Sequence, residues 1–256
     1  MLDLDGVIWL DDHALSGAAD AVAQLQSSGE VVFVTNNSRL EVGAQESKLA
    51  RMGIDAAGAV ITSAQSVVDL VESGQRVLVA AGPGVIEALT DADVEIVQRD
   101  HRGVDAVVIG IHDDFDYAEL TEITRAVRAG ARLLATNDDV SFPTPGGLVP
   151  GNGALVAAAE AATGVRATVA GKPHEPIAAM VRRRLGSTGV VVGDRPDTDG
   201  RFAETLGYDF ALVMSGVTSP DDLPVTPSPR WVADDLAALV AAIPASAAWE
   251  PGSRPL

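Results

Sequence analysis

Short, uninterrupted runs of β-branched and aliphatic residues recur along the chain, each separated from the next by enough residues for one helix. Val31-Val32-Phe33-Val34, Ala59-Val60-Ile61-Thr62 and Val190-Val191-Val192 show no polar alternation. A strand with one solvated face alternates, whereas a strand covered on both faces need not, so these runs predict buried parallel strands flanked by helices. The fold class is therefore α/β, built on right-handed crossovers. Further strands are expected at 76–81, 94–97, 106–110, 133–136, 210–214 and 231–233. Helices are expected over 16–28, 64–72, 84–89, 117–129, 153–162, 175–185 and 234–243, together with one that Ser38 caps and that runs to about Met52. The loop from 137 to 153 is dense in Pro and Gly, and a loop of that length usually binds something or borders a second domain. The tail from Pro244 is expected to be loosely held.

Several of these strands end in polar clusters. Leu2-Asp3-Leu4-Asp5-Gly6 reads as a strand end turning into a loop, with Asp3 and Asp5 on the same side. Two acids at one mouth suit phosphoryl transfer with a divalent cation, and an Asp-Gly turn that merely ends a strand with both acids solvated is the plainer alternative. Thr35-Asn36-Asn37-Ser38 closes the second strand, and Gly193-Asp194-Arg195-Pro196-Asp197-Thr198-Asp199 closes Val190-Val191-Val192. In an open parallel sheet the ligand crevice lies outside the carboxyl ends of the strands, so these clusters should converge. Lys172 sits in a Gly-Lys-Pro turn and is one of two lysines, with Lys48, among sixteen arginines. It reads either as a compact point charge for a site or as a solvated loop lysine. Gly82-Pro83-Gly84 lacks the lysine and remaining glycines of a phosphate loop and is expected to be a helix entry.

Charge narrows the partners. A formal net charge of −18 repels polyanions, which argues against nucleic acid and an anionic membrane surface. It would equally repel a phosphate ester, so a phosphate site here must reverse the field locally with a metal ion, a lysine or backbone N–H groups. The absence of cysteine removes disulfides, thiolate nucleophiles and cysteine-ligated metals. No apolar run reaches transmembrane length. A catalytic Asp3/Asp5 pair leaves no room for a cleaved leader before it, so the expected location is cytoplasmic.

The four clusters, in order, resemble the haloacid dehalogenase (HAD) superfamily: Asp3-Leu4-Asp5-Gly6, then Thr35 with Asn36 and Asn37, then Lys172, then the Gly193–Asp199 segment. Thr35-Asn36-Asn37-Ser38, Ala135-Thr136-Asn137-Asp138-Asp139, Pro150-Gly151-Asn152-Gly153 and the Gly-Asp-Arg form of the fourth cluster are similar to the NagD-like, type IIA phosphatases. This resemblance covers about residues 1 to 240. It implies a Rossmann-like parallel-sheet core with an inserted α/β cap domain. Spacing independently places the insertion: 30 positions separate Asp5 from Thr35 and 137 separate Thr35 from Lys172. The expected division is core over 1–80, cap over 81–166 and core again over 167–256.

The resemblance also implies roles. Asp3 would be the nucleophile, forming an aspartyl-phosphate, and Asp5 the general acid and base. Mg²⁺ would be held by Asp3, the backbone carbonyl of Asp5 and Asp194. Thr35, Asn36 and Lys172 would hold the phosphoryl oxygens, with Asp199 in support and Asp197 a helix cap or solvated acid. The implied activity is Mg²⁺-dependent hydrolysis of a small phosphorylated metabolite, such as glycerol phosphate, a nucleoside monophosphate, pyridoxal phosphate or a sugar phosphate, with p-nitrophenyl phosphate as a generic substrate. Oligomeric state stays open, relatives often dimerising through the cap. Two departures stand out: only Met1 and Leu2 precede Asp3, and Gly200 follows Asp199, which weakens a helix start there. Within the fold, a dehalogenase would need neither Asp5 nor Asp194, and a phosphomutase would need a cap between Asp5 and Thr35. A non-catalytic phosphometabolite-binding protein is the alternative from a different class.

Overall fold

The computed structural model describes residues 1–144 and 146–242. The chain divides into two compact units, the first comprising Met1–Thr35, Gln45–Ile61 and the chain from Ala178 onward, the second Asn36–Ala44 and Thr62–Ile177.

The first unit is organised by a sheet in which Val190–Gly193, Asp209–Val213 and Trp231–Ala233 pair in parallel in that order. Leu2 makes one parallel bridge to Phe33 and another to Val192. Phe33–Thr35 neighbours Val60–Thr62 on its other side. Numbered along the chain, the strands therefore lie in the order third, second, first, fourth, fifth, sixth. The order reverses at the first strand, and that switch point is where the carboxyl ends of an open α/β sheet leave a crevice. The first strand is very short, yet it is held on both sides: Leu2 N–H donates to Val32 O and Asp3 N–H to Val192 O, both at 2.9 Å, while Leu2 O accepts from Val34 and Met1 O from Val192. Val32, Phe33, Val34 and Val191 are fully buried, in keeping with strands covered on both faces. Helices Ala18–Ser28 and Leu236–Ala242 pack together in this unit.

The second unit holds a five-stranded parallel sheet in the order Thr168–Val169, Arg132–Ala135, Ala106–Ile109, Arg76–Ala80, Glu95–Val97. Helices Tyr117–Arg128 and Asn152–Thr163 bury Ile123, Ala126, Val156 and Ala159 against one face, with Leu78, Val107 and Ile109 from the strands. Helix Pro83–Asp91 buries Val85 and Leu89 on the other, against Val77, Val79 and Val108. Asp116 caps Tyr117–Arg128, its side chain accepting from Glu119 N–H at 2.7 Å.

Most strands and helices lie within a few residues of expectation, and the differences have physical causes. The strand Arg76–Ala80, expected before the inserted block, is hydrogen bonded in the interior of the second unit's sheet, and Thr168–Val169 forms an edge of it. That sheet thus starts and ends outside 81–166. Ser38 does not cap a helix: its hydroxyl is buried against Thr136 Oγ1 at 2.9 Å, and the helix begins at Val42, whose N–H is accepted by Glu87 Oε2. The stretch 137–153 is not all loop, because Ser141–Thr144 and Gly147–Pro150 pair as an antiparallel ribbon. Proline and glycine, which read as loop, are tolerated in an isolated ribbon. A further ribbon, Trp9–Leu10 with His13–Ala14, follows the Asp3/Asp5 turn. Ile243 and the tail from Pro244 lie outside the described residues. Among the described residues no helix is long and apolar enough to cross a membrane.

One buried ion pair makes the second unit pH-dependent. His112 Nε2 lies 2.7 Å from Glu119 Oε2 and Nδ1 lies 3.0 Å from Gly110 O, so both ring nitrogens face acceptors. The Glu119 carboxylate, helped by the Gly110 carbonyl and opposed by burial, raises the His112 pKa above 6.5. A base whose pKa is raised by folding contributes stability that is complete below its unfolded pKa and is lost as pH rises through the folded one. His112→Gln should therefore lower Tm by about 2–4 °C, roughly 1 kcal/mol, at pH 5.5, with the deficit shrinking above pH 7. Thermal melts of both proteins across pH 5–9 check this; a deficit that does not change with pH would contradict it.

Candidate active site

The carboxylates of Asp3, Asp194 and Asp199 meet in the first unit, one oxygen from each lying within 4.8 Å of the others. All three are buried, at 8%, 2% and 0% exposure. Each arrives by its own route. Asp3 follows Leu2 out of the first strand, and Asp194 follows Gly193 out of Val190–Gly193. Asp199 comes from a π-turn, Pro196–Gly200, in which Asp199 N–H donates to Arg195 O at 2.6 Å. Its carboxylate accepts from Arg195 N–H at 3.2 Å. The turn leads straight into the helix Arg201–Leu206, so Gly200 does not cost the helix start that the sequence suggested. A side chain at 200 would crowd Pro227 and the Phe210 ring.

Glycines make the room. Gly6 has φ +78°, and a Cβ there would stand 2.6 Å from Asp194 Cγ; a Cβ on Gly216 would stand 1.9 Å from Asp194 Oδ2, and one on Gly193 2.3 Å from Asp199 Cγ. The loop after Asp209–Val213 completes the cradle. Val217 N–H donates to Asp194 Oδ2 at 2.6 Å, Thr218 Oγ1 to Asp194 O at 2.5 Å, and Ser215 Oγ to Gly6 O at 2.6 Å.

Three ionised carboxylates this close and this dry repel one another strongly unless positive charge lies among them. An oxygen-only set suits a hard divalent cation. Two oxygens bound to such an ion at roughly 2.1–2.4 Å are at most roughly 4.2–4.8 Å apart, and the three oxygens lie within 4.8 Å of one another. Asp199, expected only in support, stands as a full member of this set.

The side chain of Asp5 is not one of the three carboxylates of this set. It is exposed, and its Oδ1 accepts from Trp9 Nε1–H at 2.8 Å. Thr35, 2% exposed, ends Phe33–Thr35 in the same unit.

The remaining expected residues belong to the second unit. Lys172 is 2% exposed, and its turn is held by Asn36: Lys172 N–H donates to Asn36 Oδ1 at 2.8 Å, while Asn36 Nδ2 donates to Lys172 O at 3.0 Å and to Asp139 Oδ2 at 2.9 Å. The Asn36 amide is thus committed to the Lys172 turn. Asn36 O accepts in turn from Ser63 Oγ and Asn137 Nδ2. A Cβ on Gly171 would stand 2.5 Å from Asn36 Oδ1. Asn152 joins the Pro150-Gly151-Asn152-Gly153 turn to the Asn137 segment by donating to Asn137 O at 2.7 Å. His174 pairs with Asp138 at 3.1 Å, which holds the Asp138 carboxyl below its usual range.

Sequence reasoning missed Trp9 and the Ser215-Gly216-Val217-Thr218 loop. The loop was findable, since it is a polar cluster at the end of an apolar strand like the others. Trp9 carried no such signal, because an aromatic after an apolar pair reads as core.

Gly216→Ala should cost roughly 1–3 kcal/mol, or else displace Asp194, because the new methyl group would overlap its carboxylate. Calorimetric titration with Mg²⁺ and thermal melts test this together: a variant matching the parent in both would show that the cradle tolerates a side chain.

Comparison with known proteins adds a family to this geometry. Residues 1–95 match the model for haloacid dehalogenase-like hydrolases, and residues 169–239 match a HAD-hydrolase-like model. The chain is 35% identical to D-glycerol 3-phosphate phosphatase of Mycobacterium tuberculosis over 93% of its own length and 70% of that protein's. It is 36% identical to acid sugar phosphatase of Staphylococcus aureus over 87% of its own length and 88% of that protein's. A crystal structure of glycerol phosphate phosphatase from Mycobacterium tuberculosis in complex with magnesium superposes with a TM-score of 0.85 at 34% identity, covering 93% of this chain and 75% of that one. With its acidic cluster at the switch point of a parallel sheet, the chain belongs to the haloacid dehalogenase-like hydrolases, on the branch of the NagD-like type IIA phosphatases.

Proposed function

We propose that this phosphatase is a Mg²⁺-dependent phosphomonoesterase that acts on a small phosphorylated polyol or sugar through an aspartyl-phosphate on Asp3. The observation that carries the reading is the buried trio Asp3, Asp194 and Asp199 within 4.8 Å, a set that makes electrostatic sense around a hard cation. Asp3 and Asp194, with the Asp5 carbonyl, are the proposed ligands, and Asp199 is the third carboxylate beside them. When bound, Mg²⁺ supplies positive charge against the phosphoryl oxygens and lets an anionic nucleophile approach an anionic ester. Asp3 then attacks phosphorus, and Asp5 gives its proton to the departing oxygen. In the second half-reaction Asp5 takes a proton from water as the water oxygen attacks phosphorus, and the phosphorus–oxygen bond to Asp3 breaks to release phosphate and the free carboxylate. The assignment of Thr35, Asn36 and Lys172 to phosphate binding rests on their order in the sequence; Asn36 would contribute by holding the Lys172 turn. The substrate class is supported by the relatives, one named for glycerol 3-phosphate and the other a sugar phosphatase.

A panel of glycerol phosphate, sugar phosphates, nucleoside monophosphates, pyridoxal phosphate and p-nitrophenyl phosphate, assayed with Mg²⁺ and with excess chelator, tests the whole reading. Turnover of a polyol or sugar phosphate should exceed the rest and vanish on chelation. Activity indifferent to the metal would sink the proposal, and so would binding of these esters with no hydrolysis.

Asp3→Asn should abolish turnover because an amide cannot form the acyl-phosphate. Asp5→Asn keeps the backbone carbonyl and should lose ~10²–10⁴-fold on an alkyl phosphate. The loss should be smaller on the nitrophenyl ester, whose leaving oxygen needs little protonation. Burst and steady-state measurements with both esters check this, and equal losses without a trapped phospho-enzyme would make Asp5 structural.

A further inference from the structure

An exposed carboxylate that must donate a proton in one direction and later take one from water needs a fixed rotamer, and exposed side chains do not hold one unaided. Asp5 is exposed, but Trp9 is not: the indole is 2% exposed and among the largest buried side chains. We infer that Trp9 is a positioning residue for Asp5, fixing its rotamer. The inference rests on the reading of Asp5 as general acid and base.

The ring is immobilised from several sides. The backbone between Asp5 and Trp9 is a tight turn in which Ile8 N–H donates to Leu4 O and Gly6 N–H to Trp9 O, both at 2.8 Å. Asp5 and Trp9 face each other across an isolated bridge, and Trp9 then pairs with Ala14 in the ribbon. Over the indole lies Lys48 Nζ, 4.3 Å from the ring centroid, itself held by Asp11 O at 2.5 Å and Asp12 Oδ1 at 3.3 Å. A cation over an indole face is attracted to the ring, so Lys48 clamps it.

The consequence for Asp5 follows from hydrogen-bond chemistry. Indole Nε1–H is a donor and never an acceptor. With that N–H aimed at Oδ1 from 2.8 Å, Oδ1 is held as an acceptor and the carboxyl group is kept in one orientation. The role needs an N–H donor, which neither a phenylalanine nor an aliphatic residue could supply.

A double-mutant cycle on the full chain tests this. Trp9→Phe keeps a ring and removes the donor. On an alkyl phosphate it should lower kcat roughly ten-fold, the scale of one hydrogen bond to a charged group, with KM little changed. The loss should be smaller on p-nitrophenyl phosphate. In an Asp5→Asn background, which has no acid left to aim, the same substitution should cost less than about two-fold. If Trp9→Phe proves unstable, benzothienylalanine at position 9 keeps the indole shape, puts sulfur in place of N–H, and should reproduce the effect. Undiminished activity in these variants would overturn the inference, as would a ten-fold loss that persists in the Asp5→Asn background or is equal for the two esters. If Asp5→Asn alone retains the parent rate, it is the acid–base reading of Asp5 that fails, and the inference falls with it.

Discussion

Mutual repulsion among Asp3, Asp194 and Asp199 is the term that the rest of the first unit has to answer. Unit charges about 4 Å apart interact by roughly 1 kcal/mol in bulk water and by several times that where water is excluded. The fold nevertheless buries all three and leaves little room to relax. Gly6, Gly193 and Gly216 each present bare backbone where a side chain would overlap one of these carboxylates. Val217 N–H takes one Asp194 oxygen and Arg195 N–H one Asp199 oxygen, so backbone donors help to orient two of the acids. Backbone amides orient an anion but do not neutralise it. Three carboxylates gathered this closely are favoured by positive charge among them.

The second unit is built on the opposite principle. Around the Lys172 turn its polar groups form a chain of amides and hydroxyls: Lys172 N–H to Asn36, Ser63 and Asn137 to Asn36, Asn152 to Asn137, and Ser38 against Thr136. Each is a short hydrogen bond in a buried or half-buried setting, where an unmade partner would cost more than the bond itself contributes. Such a network shapes backbone. It sets the turn that carries Lys172, and Asp139 closes it by accepting from the same Asn36 amide.

Legibility in the sequence followed the strength of the local signal. Val190–Gly193 and Phe33–Thr35 were readable because a strand covered on both faces has to be apolar throughout, and Asp194 and Thr35 because a polar residue directly after such a run stands at the crevice. Which sheet a buried strand joins was not readable: Arg76–Ala80 carries an apolar run as Phe33–Thr35 does, yet it pairs in the second unit. Ser38 was misread because a serine before a helical stretch reads as a cap, and its true partner, Thr136, is 98 positions away. The helix start it was assigned is satisfied from Glu87, 45 positions off. Long-range partners of this kind leave no trace in local spacing. Trp9 is the same case in reverse, since its partner is only four residues away but nothing in the string separates an indole that aims a carboxylate from one that fills a core.

The pairing of the first strand on both of its edges shows where the precision of the site comes from. Leu2, directly before Asp3, is a buried side chain at 2% exposure. What seats it is the alternation of backbone bonds: Leu2 N–H and O go to the Phe33 side, Met1 O and Asp3 N–H to the Val192 side. A strand paired on both edges at the middle of a sheet has its height and direction fixed by its neighbours, whatever its own length. The same two neighbours end in Thr35 and lead into Asp194. The register that places Asp3 therefore also sets its height relative to Asp194, and a slip of one residue would turn Asp3 to the opposite face of the sheet. The position of the nucleophile is thus a property of the second and fourth strands as much as of the first.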